Sequence, residues 1–229
     1  MAYLSEGALG KPRVIAIDGP VAAGKTVVGK RLSKLLGYRF IDTGSMYRAI
    51  TWLALKEKVP LEEEPLSQLA HSAQLQVLPG DNGDRWLVNG EDVTAQLRTP
   101  EVERKVPIVA QFPGVRQAMV AHQRRLSKNG GVVMAGRDIG TVVLPEADLK
   151  VFLMASVPER ARRRYEELRG LGRNVEYQQV LQELETRDRI DSQRAVSPLR
   201  PAPDAHILET DCYSIDQVVE RILSLAQED

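Results

Sequence analysis

Residues Gly19-Pro20-Val21-Ala22-Ala23-Gly24-Lys25-Thr26 carry the spacing G-x-x-x-x-G-K-[ST]. Glycines at both ends let a backbone curl so that successive N–H groups converge on one point. Placed before a helix, whose first N–H groups have no intrahelical partner, such a loop is a cradle for phosphate. Lys25 then serves the β- and γ-phosphates of a nucleoside triphosphate as a point charge. The Thr26 hydroxyl is placed to bind Mg²⁺.

A second chemistry lies in four arginine groups. Arg48 closes Asp42-Thr43-Gly44-Ser45-Met46-Tyr47-Arg48, and Arg137 opens Arg137-Asp138-Ile139-Gly140-Thr141. Arg160, Arg162, Arg163 and Arg164 crowd one helical turn, and Arg187, Arg189 and Arg194 surround Asp188 and Asp191. Arginine grips phosphate oxygens bidentately and keeps its charge. Several such groups suit transfer of a phosphoryl group between two anions, where charge must be neutralised and water excluded. A solvated helix face accounts for Arg162 and Arg169.

These residues need a scaffold. Residues 13–18 form a short apolar, β-branched run ending at glycine, which predicts a buried strand, and residues 26–36 have near-helical apolar spacing up to Gly37. Further strands are expected at 38–41, 132–135, 149–155 and 206–209. Helices are expected at 45–56, 114–127, 158–169, 175–188 and 214–227. The alternation implies a parallel sheet covered on both faces, with ligands beyond the carboxyl ends of its strands. The rhythm breaks over about 60–105. There Asp81-Asn82-Gly83, and Asn89-Gly90 after Trp86-Leu87-Val88, signal a small antiparallel sheet.

The formal net charge of zero gives no field favouring nucleic acid or an anionic membrane, and the low aromatic content of 5% leaves few stacking platforms for bases. A single cysteine, Cys212, cannot form an internal disulfide. No apolar run approaches the ~18 residues of a membrane helix. The first twelve residues read as a loose extension rather than a signal peptide. A cytoplasmic protein is expected. A second acid ending a long strand and a guanine-reading Asn-Lys-x-Asp are both missing, which disfavours a GTPase or motor. Other small P-loop kinases (for UMP, AMP or shikimate) and a nucleotide-driven switch remain open on the residues alone.

The segments IDGPVAAGKT at 17–26, DTGSMYRA at 42–49, AGRDIGTVVLPEADLKVFL at 135–153, RARRR at 160–164 and RDRIDSQRAVSPLRPAPDA at 187–205 resemble those of the bacterial cytidylate kinase family. The resemblance runs from about residue 13 to the C-terminus. It implies an α/β nucleoside monophosphate kinase fold with a five-stranded parallel sheet, a small antiparallel β insertion and a helical LID. The CORE would comprise 13–59, 106–157 and 189–229, the monophosphate-binding insertion about 60–105, and the LID about 158–188. ATP, with Mg²⁺, would be held by Gly19 to Thr26 together with Arg160 and Arg163. CMP or dCMP would be held by Thr43, Arg48, Arg116, Arg137, Asp138, Arg187, Asp191 and Arg194. Lys25, Arg137, Arg163 and Arg194 would be catalytic. Within that scheme Thr43, Asp138 and Arg116 attend the base, Arg48, Arg137 and Arg194 the acceptor phosphate, and Arg187 with Asp191 the ribose. No membrane or nucleic-acid partner is implied, and a monomer is expected. Two positions depart from the family pattern: Ala135, where an acid is common, and Pro107, where some members place a sugar-contacting serine.

Overall fold

The computed structural model describes residues 13–78 and 84–228; Asp81-Asn82-Gly83 and the first twelve residues lie outside them. Five parallel strands form the main sheet: β1 (Val14–Asp18), β2 (Arg39–Asp42), β6 (Val132–Gly136), β7 (Leu149–Met154) and β8 (His206–Glu209). Their spatial order is β2-β6-β1-β7-β8, so β1 is central and the chain leaves it in both directions. That arrangement puts a crevice at the carboxyl end of β1.

Helix α1 (Lys25–Leu36) and α8 (Ile215–Glu228) cover one face of the sheet. The spacing of Val218, Val219, Ile222 and Ala226 gives α8 a single apolar stripe, and that stripe joins the core beneath Ile15, Ile17 and Leu153. On the opposite face Ile41, Met134, Ile139 and Val143 pack against α5 (Pro113–Ser127) through Val120 and Leu126. Local signals set the helix boundaries nearest the site. Gly24 and Gly37 bracket α1 in left-handed conformations, and Asp42 caps α2 (Thr43–Lys56) by accepting the Gly44 N–H at 3.0 Å. This cap starts α2 at Thr43 rather than Ser45, so Thr43 belongs to a fixed first turn.

The 60–105 stretch contains more than the expected sheet. Helix α3 (Glu63–Ser72) precedes the antiparallel strands β3 (Leu75–Leu78), β4 (Arg85–Val88) and β5 (Glu91–Asp92), and α4 (Pro100–Val109) begins inside it. Asn89 and Gly90 both have positive φ, the mark of the tight hairpin that joins β4 to β5. Trp86, Val88 and Val93 bury against α2, α4 and α5 in one large cluster.

Helices α6 (Val157–Gly170) and α7 (Tyr177–Gln193) form a hairpin with its own small core of Ala161, Leu168, Val180 and Leu184. Ser156 and Pro158 start α6, the serine hydroxyl accepting the Glu159 N–H. Helix α7 continues to Gln193, past the expected 188, and so puts Arg187 and Asp191 one turn apart on one helix.

Candidate active site

At the end of β1 the chain turns through Gly19, whose φ is +146°. A Cβ there would lie 2.2 Å from the Leu153 carbonyl oxygen of β7, so only glycine lets the loop pass so close to the sheet. Gly24, at φ +95°, aims the first N–H groups of α1 into the space above. Lys25 folds back over this loop and donates to the Gly19 carbonyl at 2.7 Å and to Pro20. Burial, reinforced by the Arg137 charge, lowers the Lys25 pKa well below the ordinary lysine range. A phosphate would supply the anion this ammonium lacks.

One cavity of about 1840 Å³ runs from this loop to Arg48, Arg137 and Arg194. Its walls include Thr26, Thr43, Arg48, Arg137, Asp138 and Arg194. Three of these come from the carboxyl ends of β2 and β6. Thr43 donates its hydroxyl to the Ala135 carbonyl at 2.8 Å, which leaves the oxygen lone pairs facing the cavity. Gly44 makes room for Arg48, whose Nη1 would lie 3.0 Å from any Cβ there. The Arg48 Nε is buried without a partner, and burial lowers the guanidinium's pKa.

Deeper in the cavity Arg116 and Asp138 form an ion pair, both groups almost fully buried. Arg116 also donates to the Ala110 carbonyl at 3.1 Å and lies over the Tyr47 ring at 5.5 Å. The Arg194 Nη2 stands 4.0 Å from Asp138 Oδ1 and is buried without a hydrogen-bond partner. Asp191 sits behind the wall. Its Oδ2 accepts from Arg137 at 2.8 Å and from Arg187 at 3.2 Å. Burial opposes its charge, but these arginines prevail and hold its pKa down to about 2. Of the two residues expected at the ribose, Arg187 lines the cavity and Asp191 pairs with Arg137 and Arg187 behind it.

The arginines in the first turns of α6 diverge from one another. Arg160 does not line the cavity. Its guanidinium is bidentate to Asp188 at 3.1 and 2.6 Å, and it also donates to the Ala155 and Val21 carbonyls. These contacts make it a tether joining α6, α7 and the phosphate loop. Arg163 does line the cavity, held by Glu159 at 2.8 Å and by the Thr210 hydroxyl and carbonyl. Arg162 pairs with Glu159 and Glu166 on the exposed face, as its spacing suggested.

Sequence reading passed over Asp18. Its carboxylate accepts the consecutive N–H groups of Ile139 and Gly140 at 2.8 and 2.7 Å, tying the start of the phosphate loop to the turn after Arg137-Asp138. The available signal was an acid ending an apolar strand one residue before the loop. Burial raises its pKa from 3.8 to about 6, the two N–H groups only partly compensating. A carboxyl with a raised pKa binds more protons folded than unfolded, so the Asp18 contribution to stability falls as pH rises from about 4 to 6. The loss is on the order of 3 kcal/mol, at 1.36 kcal/mol per pH unit. Asp18→Asn removes that slope. Its stability relative to wild type should rise over the same interval while its turnover at pH 7.5 falls, as denaturant titration and steady-state rates will measure. A stability difference that is flat with pH would contradict the assignment.

A glycine-rich phosphate loop at the switch point of a parallel sheet, with an arginine-walled cavity beyond it, defines a P-loop phosphotransferase. Comparison with known proteins narrows the class. The cytidylate kinase family model matches residues 15–228. A cytidylate kinase from an Exiguobacterium species is 51% identical over 215 residues, covering 93% of this chain and 96% of that protein. The Bacillus subtilis cytidylate kinase is 48% identical over the same shares of the two chains. Among solved structures, shikimate kinase from Acinetobacter baumannii superposes with a TM-score of 0.47 at 21% identity, over 94% of this chain and 92% of that one. The chain belongs to the cytidylate kinase family.

Proposed function

We propose that the protein phosphorylates CMP and dCMP at the expense of ATP. The observation that carries this reading is the buried Arg116–Asp138 pair, which lines, together with Thr43, the cavity that also borders the phosphate loop. Cytosine presents an amino donor beside ring acceptors. The Thr43 and Asp138 oxygens suit the amino group, and the Arg116 guanidinium suits the acceptors. Arg48, Arg137 and Arg194 supply the charge for the acceptor phosphate, and Arg187 is within reach of the sugar. The segment 60–105 would close over the monophosphate, and the α6–α7 hairpin over ATP.

The acceptor phosphate is an anionic nucleophile at neutral pH, so the protein need not supply a general base. Its contribution is alignment and electrostatic stabilisation. Lys25 holds the β- and γ-oxygens in line with the acceptor. Arg137, Arg163 and Arg194 converge on the equatorial oxygens where charge is shared during transfer. Asp191 keeps Arg137 aimed there. No group of three or more metal-ligating side chains exists among the described residues. Mg²⁺ favours substrate phosphates and water over an all-protein cage, and the Thr26 hydroxyl would hold it. When bound, the ion would neutralise β- and γ-oxygen charge.

Incubation with Mg·ATP and CMP should yield ADP and CDP in equal amounts, resolved by ion-exchange chromatography. ADP formed without CDP would instead support a nucleotide-driven switch.

A further inference from the structure

Glu103 lies in the first turn of α4, and its two carboxylate oxygens serve different arginines. Oε1 accepts from Arg164 of α6 at 3.0 Å, and Oε2 from Arg173, in the loop between α6 and α7, at 2.8 Å. Arg173 also donates to the Arg98 carbonyl at 2.6 Å, so it grips two points of the inserted segment at once. Arg164 is completed by Glu167 at 2.7 Å, leaving it engaged by carboxylates on both sides. These groups line the mouth of the cavity, and Glu103 is largely buried between them. An isolated surface ion pair contributes little. Here one carboxylate with two arginines, partly shielded from water, spans segments more than sixty residues apart in sequence. Despite the burial that opposes ionisation, these arginines lower the Glu103 pKa.

We infer that Glu103 is a positioning residue that latches the inserted segment to the α6–α7 hairpin and so couples acceptor binding to donor binding. The inference rests on the proposed reading that these two parts close over CMP and ATP respectively. Arg164 then serves the link between the two parts, and Arg163 lines the cavity beside it. Because Glu103 and its arginines tie the two parts together, a ligand that fixes either part also fixes the other, and the second ligand meets a site already ordered. Coupling of this kind is reciprocal.

The test is calorimetric titration of wild type, Glu103→Gln, Arg173→Gln and the double variant. Each is titrated with a non-hydrolysable ATP analogue, with and without saturating CMP. In wild type CMP should tighten the analogue about 5-fold or more, a typical coupling factor. In Glu103→Gln that factor should fall to within about 2-fold of one, while the affinity of each ligand alone stays within about 2-fold of wild type. Arg173→Gln should lose coupling as well, and the double variant should lose no more than either single change, because the two residues act as one unit. A merely structural role would weaken both single-ligand affinities and leave their ratio intact. That result, or a wild type without coupling, overturns the latch. CMP turnover of the wild type is measured alongside. Absent turnover rejects the CMP assignment, whereas normal turnover with coupling unchanged in Glu103→Gln rejects the latch alone.

Discussion

Lys25→Met should lower turnover with saturating ATP and CMP by about 10²–10³-fold, the loss expected when one preorganised charge is removed from a transition state. The Lys25 ammonium is buried at the phosphate loop, held by the Gly19 and Pro20 carbonyls. Methionine matches its length and apolar stem, so the loop keeps its packing while the charge is lost. Burial already depresses the lysine's pKa, and the substitution therefore removes an energetic burden on folding. Thermal stability should hold or rise as activity collapses. The CMP side is built from other elements, so CMP affinity by calorimetry should stay within about 2-fold, because uniform binding there is untouched. Rapid-quench single turnovers separate the chemical step from product release. Turnover close to wild type would remove the phosphate loop from the mechanism.

The second large effect falls on the acceptor. Asp138→Ala should reduce kcat/KM for CMP by about 10²-fold and change that for UMP much less, because a polar pocket discriminates by leaving its groups unpaired. The change also strips Arg116 of its partner at a site where the guanidinium is 3% exposed. An unpaired buried charge costs about 3–5 kcal/mol, so the alanine variant should unfold at a markedly lower temperature. Asp138→Asn keeps the shape and serves as the second variant. It should retain more stability yet still lose selectivity, since its amide presents a donor to the amino group. An unchanged KM for ATP in either variant shows that the donor half remains folded. Undiminished preference for CMP over UMP would refute the base-reading role.

The strands and their order of use were legible because parallel strands buried on both faces are short apolar runs, and β1, β6 and β7 each end at a glycine, a polar residue or a turn. The phosphate loop was legible because its spacing is dictated by backbone geometry. Harder to see was α3, a ten-residue helix whose buried side is small: only Leu66 and Ala70 are buried. The extension of α7 to Gln193 was hidden by its low apolar content past Leu184, where the helix is held by the Asp191 ion pairs instead.

The site residues split the same way. Thr43, Arg137 and Asp138 were legible since they follow a strand directly, and Arg48 since it lies one turn further along the helix that Thr43 begins. The partners of the arginines were not. Nothing in the spacing of Arg160 to Arg164 distinguishes the tether to Asp188, the cavity-facing Arg163 and the Arg164 contact with Glu103, because those fates depend on residues between 28 and 61 positions away. Asp18 was overlooked for a related reason: its partners are backbone N–H groups 121 and 122 residues downstream.

The central claim is that the cavity beyond the phosphate loop accepts a cytidine monophosphate. Coupled ADP release measured with CMP, dCMP, UMP, AMP and shikimate at equal concentration tests it most directly. The predicted result is rapid ADP release with CMP and dCMP and little with the other three. Equal or faster release with UMP, AMP or shikimate, or release that no acceptor stimulates, would contradict it.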